Sequence, residues 1–165
     1  MLIIFGGLPG TGKSTLARQL AEKLGAVYLR IDKIERAIAA GNEAAPIGDE
    51  GYRVAYALAE DNLRLGHTVI GDSVNPLQIT REAWRRTAER AGVKAVEVEV
   101  ICSDQLEHRH RIETRVVDVS VTWDEVVARR YDAWAGNHIT IDTAGHKIEQ
   151  CFATLLRELS ERPYA

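Results

Sequence analysis

At 165 residues the chain is long enough for one domain with a real core, and 45% apolar with 27% charged residues is the balance of a soluble globular protein rather than a disordered one. A formal net charge of −3 argues against a nonspecific binder of nucleic acid or anionic membrane, though a nucleic-acid 5′ end stays open as a substrate. No run approaches the ~20 apolar residues of a membrane span, and residues 1–5 lack the basic and hydrophobic regions of a secretory signal. Cys102 and Cys151 are too few and too far apart for a disulfide framework or a zinc site, so the expectation is a cytoplasmic protein with two reduced core thiols.

Apolar runs and helical patterns alternate along the chain. Residues 2–5 form a continuous apolar run stopped by glycines, the pattern of a buried parallel strand. Leu16, Ala17, Leu20, Ala21 and Leu24 recur at helical spacing over 14–24, and Gly25 ends the run. A second strand is expected at 27–30, then a helix over 32–40 with Asp32 as its N-cap. The glycine-bearing 41–51 stretch reads as a loop, 52–65 as a helix, and 68–71 as a third strand. Pro76 near its start and Gly92 beyond its end frame a helix over 76–91. Residues 94–102 form a fourth strand, in which Glu97 and Glu99 suggest a partly exposed edge. Charged helices are expected over 104–115 and 123–134, a fifth strand over 138–141, and an amphipathic helix over 148–159. Strands alternating with helices specify one α/β domain over 1–165, of three α/β/α layers around a five-stranded, mostly parallel sheet.

The strongest signal is local. Gly7, Leu8, Pro9, Gly10, Thr11, Gly12, Lys13 and Ser14 match G-x-x-x-x-G-K-[S/T], between a strand and a helix as the mechanism requires. Gly7 and Gly12 let the backbone turn so that consecutive N–H groups face phosphate oxygens, and Gly10 adds freedom. The first amides and positive dipole end of the following helix face the same anion, with Thr15 supporting the helix start. Lys13 is suited to the β- and γ-phosphates, and the Ser14 hydroxyl to magnesium. A nucleoside triphosphate with Mg is therefore the expected ligand. A second motif, Asp142-Thr143-Ala144-Gly145, matches the D-x-x-G switch of GTPases, but it follows the fifth strand rather than the third. No guanine-reading N-K-x-D occurs anywhere, so the GTPase reading is rejected.

Other candidate residues cluster at strand ends, where ligands of such sheets bind. Strand two ends at Arg30-Ile31-Asp32, with Arg36 one turn on; strand three ends at Asp72-Ser73, followed by Asn75; after strand four comes a helix with Arg109, Arg111 and Arg115. This order resembles the small P-loop kinase group that includes gluconate kinase, chloramphenicol phosphotransferase, zeta toxins and the polynucleotide 5′-kinase domain. The resemblance implies a P-loop NTPase fold with a short helical lid at about 104–134. It implies that Asp32 accepts or orients the acceptor hydroxyl's proton, and that Asp72 is a Walker B-type acid at the magnesium. Arg111 and Arg115, four apart on one helix face, become lid arginines over the triphosphate, while His108 and His110 read as surface residues. Thr143 and Gly145 fall where such kinases pack a loop against the base, and ATP is favoured by resemblance.

Asp32, Arg36, Tyr52, Ser73 and Asn75, with Tyr56 and Arg81, are the candidate acceptor residues, a polar and not strongly charged set. The expected function is an ATP- and Mg-dependent kinase that phosphorylates a hydroxyl of a small molecule. The alternatives are a nucleotide-binding regulatory module or slow ATPase, and a polynucleotide 5′-kinase. Trp84, Trp123 and Trp134 read as packing residues.

Overall fold

In a computed structural model of the protein, residues 1–41, 48–115 and 121–162 are described. Among the described residues, strands and helices follow in chain order: β1 (Leu2–Gly6), α1 (Lys13–Leu24), β2 (Val27–Arg30), α2 (Ile31–Gly41), α3 (Glu50–Arg64), β3 (Val69–Asp72), α4 (Gln78–Arg90), β4 (Ala95–Ile101), α5 (Gln105–Glu113), α6 (Trp123–Val127), β5 (Ile139–Asp142) and α7 (Ile148–Glu161). The strands form one sheet in the order β2-β3-β1-β4-β5, and every pairing is parallel. The expected three-layer α/β architecture is present.

β1 shows why the sheet is covered on both faces. All five of its residues are buried. Ile3 and Phe5 pack with Leu16 and Leu20 of α1 and Leu155 of α7, while Leu2 and Ile4 pack with Ala55 and Ala59 of α3 and Trp84 of α4. Alternate side chains of a strand point to opposite faces, so an unbroken apolar run needs helices on each side. Register then fixes the site. Phe5 is opposite Asp72, Asp72 opposite Arg30, and Gly6 opposite Glu99, which brings the carboxyl ends of β1 to β4 to one rim.

Several local expectations are corrected. β4 is an interior strand, not an edge; β2 and β5 are the edges. The two β4 carboxylates are paired: Arg85 donates to Glu97 at 2.7 Å, Tyr131 donates to Glu99 at 3.0 Å, and His138 Nε2 lies 3.3 Å from Glu99. The helix expected over 123–134 ends at Val127. Beyond it, Tyr131 and Trp134 turn back to the sheet, Trp134 Nε1 donating to the Tyr131 hydroxyl at 2.7 Å. α2 starts at Ile31, so Asp32 sits in the first helical turn rather than at the N-cap. α4 starts at Gln78, past Pro76. α2 extends to Gly41 and α3 begins at Glu50, both inside the expected loop, of which residues 42–47 lie outside the described residues. Cys102 and Cys151 are buried free thiols. Among the described residues, no helix is long and apolar enough to cross a membrane.

Trp84 is the largest fully buried side chain; Tyr56 meets its ring edge-on at 4.7 Å between centroids, and Gly71 leaves the room it occupies. Trp84→Ala removes that packing and leaves a cavity, so it is expected to cost about 3–5 kcal/mol of stability in urea unfolding. A loss below about 1 kcal/mol would mean that the site collapses around the smaller residue.

Candidate active site

The loop between β1 and α1 is built on left-handed backbone. Gly7 has φ 141° and Gly12 φ 90°, and a side chain on Gly7 would run into the Val100 carbonyl. The Thr11 hydroxyl donates back to Leu8 O at 3.0 Å, and the Gly7 amide donates to Val74 O at 3.1 Å. Gly12 caps α1 with no side chain to accept from the first turn. The Thr15 amide donates to Gly12 O at 3.1 Å, which leaves the opening amides of Lys13 and Ser14 to an anion at the positive end of the dipole.

A cavity of about 760 Å³ opens above this loop. Gly10, Gly12, Lys13, Ser14 and Thr15 of the loop and α1, Asp32 and Arg36 of α2, and Arg111 and Arg115 from the α5 segment all line it. Lys13 is only 7% exposed. Burial lowers its pKa, and the carboxylates of Asp72 and Asp32 oppose that shift. Asp72, at the end of β3, is 1% exposed. One of its oxygens accepts a 2.6 Å bond from the Tyr28 hydroxyl, while Oδ1 has no protein partner. Burial, then the charge of Asp72, pushes the Tyr28 phenol up, so Tyr28 stays a donor. Arg30 stands between two acids, 3.8 Å from Asp32 and 4.0 Å from Asp72. Glu35 also lines the cavity; burial, then Asp32, raises its pKa.

The lid residues divide by role. Arg111 donates to the Thr143 hydroxyl at 2.7 Å and the Thr143 carbonyl at 2.8 Å, and pairs with Glu107. Arg115 borders the cavity near Lys13. Arg109 pairs outside with Glu113. His108, expected at the surface, is instead buried, with Nε2 2.7 Å from Pro9 O. That contact ties α5 to the phosphate loop across 99 residues of sequence.

Thr143 and Gly145 do not line the cavity. The Thr143 amide donates to Ile101 O at 2.9 Å and its hydroxyl lies 3.0 Å from Thr11 O, while the Gly145 amide donates to Glu107 at 2.8 Å. They brace the phosphate loop and α5 from behind. Of the acceptor candidates, Asp32 and Arg36 reach the cavity; Tyr52, Ser73 and Asn75 do not line it. Asn75 is fully buried at φ 47°, its side chain donating to Phe5 O at 2.7 Å and its amide to the Tyr52 hydroxyl at 3.3 Å. Arg81 is buried too, bonded to the carbonyls of Asn75, Asp132 and Ala133 and stacked on Trp134. Tyr56 donates to Thr80 O at 3.1 Å. These residues hold the rim together. Cavity residues missed in the sequence are Arg18, Tyr28, Glu35 and Arg129; Arg18, one turn beyond Ser14, carried a usable spacing signal, and Arg129 carried none.

Residues 2–137 match the family model described as AAA domain. The chain belongs to that AAA domain family. An uncharacterized protein of Mycobacterium bovis is 34% identical over 161 residues, covering 87% of this chain and 32% of that protein. The chain spans about a third of the length of the curated relatives it matches. Among solved structures, Kti12 of Chaetomium thermophilum in complex with ADP-AlF3 superposes with a TM-score of 0.72 at 23% identity, over 100% of both chains. A gluconokinase from Sinorhizobium meliloti 1021 superposes with a TM-score of 0.71 at 17% identity, over 96% of this chain and 90% of the other. This AAA domain thus has the fold of the small P-loop kinases.

Proposed function

We propose that the protein binds ATP with magnesium and transfers the γ-phosphoryl group to a hydroxyl of a small molecule. One observation carries the reading: a phosphate loop with buried Lys13 and a carboxylate, Asp32, line the same cavity. The fold it shares with a gluconokinase, and with Kti12 in complex with ADP-AlF3, supports it. In this reading the amides of Gly10, Gly12 and Lys13 hold phosphate oxygens, and Lys13 neutralises the β- and γ-phosphates. Arg111 and Arg115 approach from the lid, and Thr143 and Gly145 support the nucleotide site from behind.

Asp72 Oδ1 is buried and unpartnered and Ser14 lines the cavity, although Asp72 itself is not among the lining residues; the two would supply oxygen donors of the kind magnesium takes. These two residues would hold the ion, which supplies charge neutralisation on the phosphates when bound. Asp32 would accept the acceptor's proton as the oxygen–phosphorus bond forms and the bond to the leaving diphosphate breaks. Positioning and charge carry the catalysis, since phosphoryl transfer asks little covalent chemistry of a protein.

Titration calorimetry tests the ligand. ATP with magnesium is expected to bind at least about tenfold more tightly than ATP with a chelator, and Asp72→Asn to shrink that difference. Equal affinity with and without the metal would remove Ser14 and Asp72 from a metal site.

A further inference from the structure

Arginines crowd the cavity. Six arginines and Lys13 line the whole cavity, against two carboxylates, Asp32 and Glu35. Arg111 is already held by Thr143 and Glu107, and the charges of both Arg115 and Arg30 reach Lys13. Apart from Arg111 and Arg115, the cavity arginines are Arg18, Arg30, Arg36 and Arg129. Arg18 acts on Tyr28, Arg30 reaches Asp32, Arg36 shares α2 with Asp32, and Arg129 acts on Glu35 from the lid.

Among these, Arg30 is short of close acceptors. Its two ion-pair distances, 3.8 and 4.0 Å, are at the outer limit of contact, and its Nε is buried without a hydrogen-bond partner. A guanidinium left short of acceptors at a cavity wall is matched by the paired oxygens of a carboxylate or phosphate. The acceptor set read from sequence was polar and weakly charged; the cavity wall is cationic.

We infer that the acceptor is a small hydroxylated anion, whose carboxylate or phosphate oxygens are held by Arg30 with Arg129 and Arg36 while its hydroxyl faces Asp32. The inference rests on the phosphotransferase reading and names its substrate class. The cavity, at about 760 Å³, must hold the triphosphate and acceptor together, which favours a compact compound. The chain's net charge of −3 opposes a polynucleotide.

The test uses protein saturated with magnesium and a non-hydrolysable ATP analogue, whose own binding is measured first. Glycerate, glycerol 3-phosphate and glycerol are then titrated in; they share hydroxyls and differ in charge, and a 5′-hydroxyl oligonucleotide forms a fourth arm. At least one anion is expected to bind about tenfold or more tightly than glycerol, and the tighter of the two identifies carboxylate or phosphate as the preferred group. Arg30→Met and, on an exposed loop where folding is not at stake, Arg129→Ala should each cut that advantage to under about threefold, with the analogue's Kd changed by less than about threefold. No advantage of either anion over glycerol, an advantage that survives in both variants, or binding of the oligonucleotide alone overturns the inference. Failure of the analogue to bind would overturn the phosphotransferase reading and this inference with it.

Discussion

Asp32→Asn is expected to lower phosphoryl transfer by about 10²–10⁴-fold while MgATP affinity stays within about threefold of the parent. Asparagine keeps the size of the side chain and its place in the first turn of α2, but it cannot take up the acceptor's proton. The fold has little at stake. Asp32 is 38% exposed and its contact with Arg30 is long, so the pair adds little to stability. Single-turnover transfer from labelled ATP, with calorimetry for the nucleotide, separates the two effects. Unchanged transfer would reduce Asp32 to a first-turn carboxylate that favours the helix dipole.

The second large effect is at the phosphate loop. Lys13→Met is expected to weaken MgATP binding by about a hundredfold or more, roughly 3 kcal/mol, because a buried cation meets the phosphates away from water. Stability should respond in the opposite sense. Burial lowers the Lys13 pKa, so the native state holds that proton less tightly than the unfolded chain does. Stability therefore rises with pH between the lowered native value and the unfolded value of about 10.4. Lys13→Met should abolish that increment without destabilising the protein at neutral pH, as urea unfolding across pH would reveal. A variant that binds MgATP as tightly as the parent would remove Lys13 from the phosphate site.

How much of this was legible in the sequence depended on distance along the chain. The phosphate loop is a local device, and its glycines, lysine and flanking strand and helix lie within about 25 residues. The alternation of apolar strands and helices gave the layers for the same reason. What could not be read is held by partners far apart in sequence. Glu97 and Glu99 look like an exposed edge until Arg85 is found paired with Glu97, and Tyr131 and His138 beside Glu99. The helix expected through Trp134 fails because Asp132 and Ala133 offer their carbonyls to buried Arg81, and Trp134 packs against the end of β1. His108 looked solvated within a charged helix, yet Pro9 O draws it inward.

The candidate site divides along the same line. Lys13, Ser14, Asp32 and Arg36 came from motif and strand-end spacing, Arg111 and Arg115 from the resemblance, and all six line the cavity. Ser73 and Asn75 follow the same strand-end logic but turn into the core, where Asn75 latches the β3 exit to β1. Spacing identifies the rim, but tertiary packing decides which rim side chains face the ligand.

The central claim is transfer of the γ-phosphoryl group to a hydroxyl other than water, and following labelled γ-phosphate tests it most directly. The protein, with magnesium and labelled ATP, is offered sugars, nucleosides, aminoglycosides, chloramphenicol, hydroxy acids, sugar phosphates and oligonucleotide 5′ ends. The account predicts a labelled organic product above the water-only background, among the small anionic hydroxyl compounds, and its loss in Asp32→Asn. Label released only as free phosphate, at one rate whatever acceptor is present, would contradict it and leave a nucleotide-binding module or slow ATPase.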